Sequence, residues 1–392
     1  MMKNITRKLS KIIIESKKPE NKSLSRMLLE IIQYSTRLGL SPGEYFGYGF
    51  QHKKYKLINI LEYLPNSIHF SKHLHTINPT NSRSILYDKL LFKNKLHTKK
   101  IPTPRTIGYI GSKYRSEINI DYLTPQSIEK TFLEKNIKEY IIKPANGTQG
   151  RGIFHATYNP KKEKKFSVGD QSFDTNDFFY FIEELSEIHK SNDFIIEELV
   201  MSPCEIQSIS PNAAPNIRII TLRTPDSNIN ITSASIRLGR KNSITSNAGS
   251  GGIIGNIDIN HGTIMSCKTS SSSDGEFISH HPDTGHKLSG FTIPYWNRVL
   301  DECVKAAQFI DSVNSIGWDV LITDRGPVIL EGNDDWGIAP EQLFGRGYLT
   351  ETNRYLLRQH GLEFPKSTLP KPNLKKIRES IFGIPIKKSS MT

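Results

Sequence analysis

The stretch YIIKPANGTQGRG, residues 140–152, ends an apolar strand in Lys143 and Pro144 and runs into a loop holding Gly147, Gly150 and Gly152. Glycines placed after a strand let backbone N–H groups approach something bulky and anionic, often a phosphate chain. In a P-loop the lysine follows the glycines, and the dinucleotide fingerprint needs a different glycine spacing. Here the lysine comes first. That order predicts a lysine that reaches a nucleotide from the sheet, and a flap over residues 146–152, Arg151 included, that closes on it.

A second constellation lies far downstream, in GWDVLITDRGPVILEGN, residues 317–333, which reads as a β-hairpin. Alternation turns Trp318, Val320 and Ile322 one way and Asp319 and Leu321 the other. A three-residue loop of Asp324, Arg325 and Gly326, with Gly326 left-handed, sets Asp319 opposite Glu331. Like charges directly opposite destabilise a sheet, so a cation between them accounts for the pair; the alternative is that both acids pair with lysines or face solvent. Asn333 shares the face of Glu331. All three offer oxygen, the ligand set of magnesium, which keeps waters and substrate phosphates in its shell.

The elements that must position these residues follow from periodicity. Residues 5–40 have helical spacing, with Leu28, Leu29, Ile31 and Ile32 recurring on one face, and SPGEYFGYGF breaks it. A helical region to about residue 78 is expected. The run from Asn81 to Ile110 reads as one capped helix, a proline-containing connection and a strand. From Glu139 the order is strand, glycine loop, strand, polar loop, helix from Phe178 to His189, and the strand DFIIEEL. Two β-rich runs follow, NIRIITLRT and NITSASIRLG, then loops with one short strand, then a helix around Trp296–Val313 ahead of the hairpin. No internal repeat is visible. Alternating strands and helices predict an α/β or α+β enzyme.

Composition sets the bounds. The 392 residues, 36% of them apolar and 23% charged, suffice for two or three packed units. Cys204, Cys267 and Cys303 are far apart, which suggests neither a disulfide framework nor a zinc site. No run reaches the about 18 apolar residues of a membrane span, and the basic N-terminus lacks the long apolar middle of a signal peptide. A cytoplasmic chain is expected. The 52 Lys and Arg against 39 Asp and Glu give a formal charge of +13, which favours anionic partners. No recognition helix or RNA-binding motif accompanies the basic runs, so no nucleic-acid partner is expected.

Together these motifs resemble the ATP-grasp superfamily. YIIKPANGTQGRGI is similar to its strand lysine and glycine lid, FIIEELV to the hinge strand that holds adenine, and GWDVLI and EGN to its two magnesium-binding strands. More narrowly, PNIRIITL, SIRLGR, NAGSGGIIGNID, HHPDTG and GFTIPYW resemble the sugar-transfer-associated ATP-grasp family, over roughly residues 80–345. The resemblance implies an α+β ATP-grasp fold, two subdomains gripping ATP, with a helical N-terminal extension. It implies ATP and Mg2+ as cofactors, with Lys143 on the phosphates and Asp319, Glu331 and Asn333 on the metal. Lys89 is either a second nucleotide-contacting lysine or a surface lysine of its helix. Glu197 and Leu199 offer backbone groups to adenine, and either Glu198 or Glu205 binds ribose. Arg218 and Arg237 face the γ-phosphate and acyl group, unless they are structural arginines with carboxylate partners. Asn247, Gly251 and Gly252 close the acceptor side, and His281 reads as a turn residue.

The expected division is a helical region 1–78, an α/β part 79–138, a lid subdomain 139–200, a large subdomain with the metal site 201–348, and a basic helix and tail 349–392. The implied chemistry is ATP-dependent carboxylate–amine ligation through an acyl phosphate, joining an amino acid to a uronate-bearing sugar or polysaccharide precursor. A peptide or natural-product ligase, a kinase, and a nucleotide-binding regulatory or export component are the alternatives. Peripheral association with a membrane-linked glycan is compatible with the charge.

Overall fold

Two antiparallel sheets carry both constellations in the computed structural model, which describes residues 12–78, 84–147, 152–211, 214–240, 252–269 and 275–371. The first sheet holds β1 (Thr106–Gly111), β2 (Glu139–Pro144), β3 (Phe154–Tyr158), β4 (Phe166–Val168), β5 (Gln171–Phe173) and β6 (Asp193–Glu198). They run in the order β1-β6-β2-β3-β4-β5. The glycine loop therefore spans β2 and β3 at the tip of a hairpin. The helix Thr175–His189 turns Phe178, Ile182 and Leu185 onto this sheet, three and four residues apart as one helical face requires. Its start is fixed by Asp174, whose side chain accepts from Asp177 N.

The second sheet orders β11 (Phe277–Ile278), β10 (Ile264–Lys268), β9 (Ile253–Ile257), β8 (Ile229–Leu238), β7 (Asn216–Arg223), β12 (Ser315–Thr323) and β13 (Gly326–Asn333) as β11-β10-β9-β8-β7-β12-β13. One face packs Ile217, Ile219, Trp318 and Val320 under the helix Trp296–Phe309, which contributes Val299, Cys303 and Ala306. The opposite face is divided. Ile220 and Leu222 lie beneath Leu64, Leu74, Ile77 and Tyr348, whereas Arg218, Asp319 and Glu331 occupy the part the helices leave to polar chemistry.

Three expectations change. The hairpin turn has two residues, not three: Thr323 pairs with Gly326, and a register shift between Asp319 and Val320 restores the pairing of Asp319 with Glu331. One extra residue on one strand makes such a bulge. The tight turn favours glycine at 326 because its φ of +118° is a backbone conformation that L side chains rarely adopt. The segment SPGEYFG does not only interrupt helix. It forms the helix Pro42–Gly47, since Ser41 and Glu44 make a reciprocal capping box and proline suits a first turn. The run from Asn81 holds two helices, Ser84–Tyr87 and Lys89–Thr98, because Asp88 leaves the helical conformation to cap the second.

β1, from the segment before residue 138, is bonded to β6 in the sheet that contains β2. The helical N-terminal region is as expected, with the helix Leu24–Arg37 and further turns to Ile77. Among the described residues no helix is long and apolar enough to cross a membrane.

Candidate active site

Lys143 stands near the end of β2 with its Nζ 2.7 Å from Glu197 Oε2 on β6. The register pairs Ile141 with Glu197 and Lys143 with Ile195, so the two side chains are diagonal neighbours on one face. The other carboxylate oxygen lies 2.8 Å from Lys93 Nζ, which comes from the helix Lys89–Thr98 and is fully buried. Burial alone would raise the Glu197 carboxyl, but the two lysines overcome it and hold the group at about 2. Lys93 goes down to about 8, because complete burial and the like charge of Lys143 outweigh its carboxylate partner. Two lysines facing one glutamate leave a surplus positive charge, the balance a phosphate chain requires.

Lys89 opens that same helix. Its amide donates to Ala145 O at 3.0 Å and its Nζ to Gly147 O at 2.7 Å, so it pins the start of the glycine loop. It is half-buried, and burial lowers its pKa against the pull of Glu331. Gly147 and Gly152 bracket the loop; Gly150 and Arg151 lie outside the described residues.

The hairpin brings Asp319 and Glu331 directly opposite each other, and β7 places Arg218 on the other side of Asp319. Arg218 grips that carboxylate with two bonds, Nε to Oδ1 at 2.6 Å and Nη2 to Oδ2 at 3.1 Å. A side chain at position 317 would prevent this, since a Cβ there would stand 3.0 Å from Arg218 Nη1 and 2.7 Å from Trp336 Cβ; Gly317 keeps the space open. Burial raises and Arg218 lowers the Asp319 carboxyl, and the arginine prevails. Glu331 goes up instead, through burial and the Asp319 charge. Asn333 Nδ2 lies 3.5 Å from Asp319 Oδ2 and 3.4 Å from Glu331 Oε1.

A divalent cation fits this donor set. A carboxylate has about four lone-pair sites, so Asp319 keeps coordination capacity while it holds Arg218. The opposed acids, strained by themselves, gain a reason to share one face. Among the described residues no group of three His, Cys, Asp or Glu is placed to hold a metal ion; the set here is two carboxylates and an amide.

Other expected residues separate. Arg218 has the carboxylate partner that marks a structural strand arginine. The Arg237 side chain, half-buried, makes no hydrogen bond or ion pair among the described residues. Glu198 accepts from Arg105 N at 3.2 Å and lines, with Leu199, Met201 and Lys135, a cleft of about 430 Å³ beside the hinge. Glu205 is exposed on the short helix Cys204–Gln207. Asn247 and Gly251 lie outside the described residues, and Gly252 leads into β9. His281 is buried, its Nε2 3.0 Å from Gly239 O, a structural contact at the end of β8.

No sequence motif points to Lys93 or to the side chain of Glu197. Only Lys93 had a local signal: it follows Lys89 by four residues and shares its helix face.

A model of the sugar-transfer associated ATP-grasp family matches residues 70–355. A search of curated proteins found no match. Solved structures similar to the chain include the D-alanine-D-alanine ligase from Coxiella burnetii, at 8% identity and a TM-score of 0.40, with 71% of this chain and 60% of that one covered. D-alanyl-alanine synthetase A from Vibrio cholerae is 10% identical, with a TM-score of 0.40 and 77% and 66% covered. A biotin carboxylase complex with β-γ-ATP from Campylobacter jejuni is 11% identical, with a TM-score of 0.44 and 81% and 55% covered. The chain thus spans less than two thirds of the length of these relatives.

Proposed function

The chain belongs to the sugar-transfer associated ATP-grasp family, whose fold is α+β and whose cofactors are ATP and Mg2+, and from that premise we propose that it is an ATP-dependent carboxylate–amine ligase. The observation that supports this most directly is the meeting of two charge patterns: surplus lysines around Glu197 and opposed acids on the hairpin. Glu331 feels the charges of Lys89 and Lys143, so a triphosphate and its metal suit the space between.

In this reading Lys143 and Lys89 orient the phosphates from β2 and from the helix start, as point charges. Asp319, Glu331 and Asn333 would hold magnesium, which when bound offsets phosphate charge. The substrate carboxylate attacks the γ-phosphorus, ADP departs, and an amine displaces phosphate from the acyl phosphate to leave an amide. Arg237, without a carboxylate of its own, is suited to the charge that develops on transfer. No protein nucleophile is needed; positioning supplies much of the rate. The finer reading is that an amino acid is joined to a uronate-bearing sugar or polysaccharide precursor, supported by the family description and the basic surface.

Release of ADP and free phosphate in equal amounts, only with carboxylate and amine both present, is the expected result. Hydroxylamine should replace the amine and yield a hydroxamate. A phosphorylated sugar as sole product would indicate a kinase, and no release with any pair a binding component; either defeats the ligase reading.

A further inference from the structure

The register of the second sheet draws a polar row across five strands. Glu331 faces Asp319, Asp319 faces Arg218, Arg218 faces Ser235, and Ser235 faces Asn256. Directly opposed residues share a face of the sheet, so the row runs from the metal pair on β13 to Asn256 on β9. The acids at its start are accounted for. Glu341 is not.

Glu341 comes from the turn Ala339–Gln342 after β13 and reaches β8, where it accepts hydrogen bonds from Ser233 Oγ and, at 2.8 Å, from Ser235 Oγ. Among the described residues it has no ion-pair partner, although Arg218 and Arg237 are near enough to favour its charged form. Burial works the other way and raises its carboxyl. If the residue served only to tie the turn to β8, a glutamine would accept from the same hydroxyls without burying a charge. Arg218 and Arg237 offset part of that charge from a distance, and a cation in direct contact would offset the rest.

The recess beside Glu341 limits the size of that cation, and Arg346 in its lining brings a like charge that Glu341 must outweigh. Glu341 lines a recess with about 20 Å³ of room, together with Ser233, Ser235, Asn256, Phe344 and Arg346. That holds one water-sized group, such as an ammonium head. An ammonium has three donors, and the recess offers the remaining lone pairs of the carboxylate and of both serine hydroxyls. Asn256 does not compete, because its Oδ1 already accepts from the amide and hydroxyl of Ser266.

We propose that this recess is the subsite for the amine substrate, that Glu341 recognises it as its ammonium form, and that the Glu341 carboxylate takes the proton the ammonium must lose before the free amine attacks. The proposal rests on the ligase reading and deepens it: the amine partner approaches along the sheet face from the β8–β9 side, toward the row that ends at the metal pair. A primary amine is accepted there, and an N-acylated one is not.

The test is calorimetry on the full chain with Mg2+ and a non-hydrolysable ATP analogue, titrated with the twenty protein amino acids, D-alanine and their N-acetyl forms. At least one free amine should bind while its N-acetyl form does not. Glu341→Gln should weaken that binding by about tenfold or more, equivalent to ~1.4 kcal/mol, with ATP-analogue affinity unchanged. Glu341→Asp, which keeps the charge, should recover part of it. Equal binding of free and acetylated forms, no binding by any free amine, or undiminished binding to a folded Glu341→Gln variant overturns the proposal. Those results leave the ligase reading standing wherever wild-type protein still releases ADP and phosphate only with both substrates, so the two fail separately.

Discussion

Lys143 shares its carboxylate partner with a lysine that never sees solvent, and this makes the three residues unequal under substitution. Glu197→Gln strands two buried lysines, and breaking a buried pair in this way costs about 3–5 kcal/mol; chemical denaturation should register it. Lys93→Met removes a buried charge and leaves the Lys143–Glu197 pair balanced, so it should cost under ~1.5 kcal/mol. Lys143→Ala is expected to keep the fold, to weaken ATP binding by about tenfold or more, and to abolish turnover. Unchanged affinity in a nucleotide titration would remove Lys143 from the phosphate site. For the hairpin, Asp319→Asn and Glu331→Gln should each eliminate Mg2+-dependent turnover; the unfolding midpoint should hold or rise in Glu331→Gln, where one of two opposed charges has gone, and fall in Asp319→Asn, which strands the buried Arg218. Retention of full activity in both would end the metal assignment.

At the level of elements, the N-terminal helices hold the hairpin at both ends. Asn78 Nδ2 donates to Ser315 O at 2.8 Å and Asp334 O at 3.0 Å, and its Oδ1 accepts from Ser315 N at 2.8 Å. It thereby ties the first residue of β12 to the residue after Asn333. Asn78→Ala leaves buried backbone groups unsatisfied, a cost of about 1–3 kcal/mol, and should raise the Mg2+ concentration needed for half-maximal turnover. An unaltered Mg2+ dependence would make Asn78 purely structural. A π-helical turn, His69–Leu74, adds a contact with pH sensitivity. His69 Nε2 lies 2.7 Å from Trp336 O and its Nδ1 2.8 Å from His73 Nδ1. Burial pushes His69 down to about 4 and His73 well below its ordinary value. Unfolded histidine takes up a proton near 6.5, so between that pH and about 4 the unfolded state binds more protons and stability falls with falling pH. The thermal midpoint should decline across that window, and by less in His69→Asn/His73→Leu.

Across the whole molecule, the helical extension and the second sheet form a continuous interior. Gln342 accepts from Leu64 N at 2.7 Å and donates to Leu64 O at 3.0 Å and to the Tyr48 hydroxyl at 3.2 Å. Arg354 Nη2 donates to Leu61 O at 2.6 Å. Leu64, Leu74 and Ile77 share a core with Ile220, Leu222 and Trp336, and Ile254 of β9 belongs to the core of the first helices. Calorimetry should therefore find one unfolding transition for this part of the chain. A chain that begins at residue 84 should lose it, because the apolar part of the site face would be uncovered. A shortened chain with the full-length midpoint would show the extension to be an appendage.

What the sequence determined by itself was local. Alternation placed Asp319 and Glu331 on one face, a lysine ahead of glycines set the end of a strand and the loop after it, and helical spacing announced the N-terminal region; each is readable within about a dozen residues because strands and helices repeat over that length. Even there the register of Asp319 with Glu331 came from a two-residue turn and a bulge, a combination that pattern alone does not distinguish from a three-residue loop. The tertiary structure decided everything that depends on residues far apart in the chain. It paired Arg218 with Asp319, 101 residues away. It buried Lys93 against Glu197, brought Asn78 to Ser315, and lowered Glu341 onto two serines of β8. The reason is physical: a charged side chain has no preferred partner in sequence, and which opposite charge meets it is set by strand order and by the helices that exclude water around the pair.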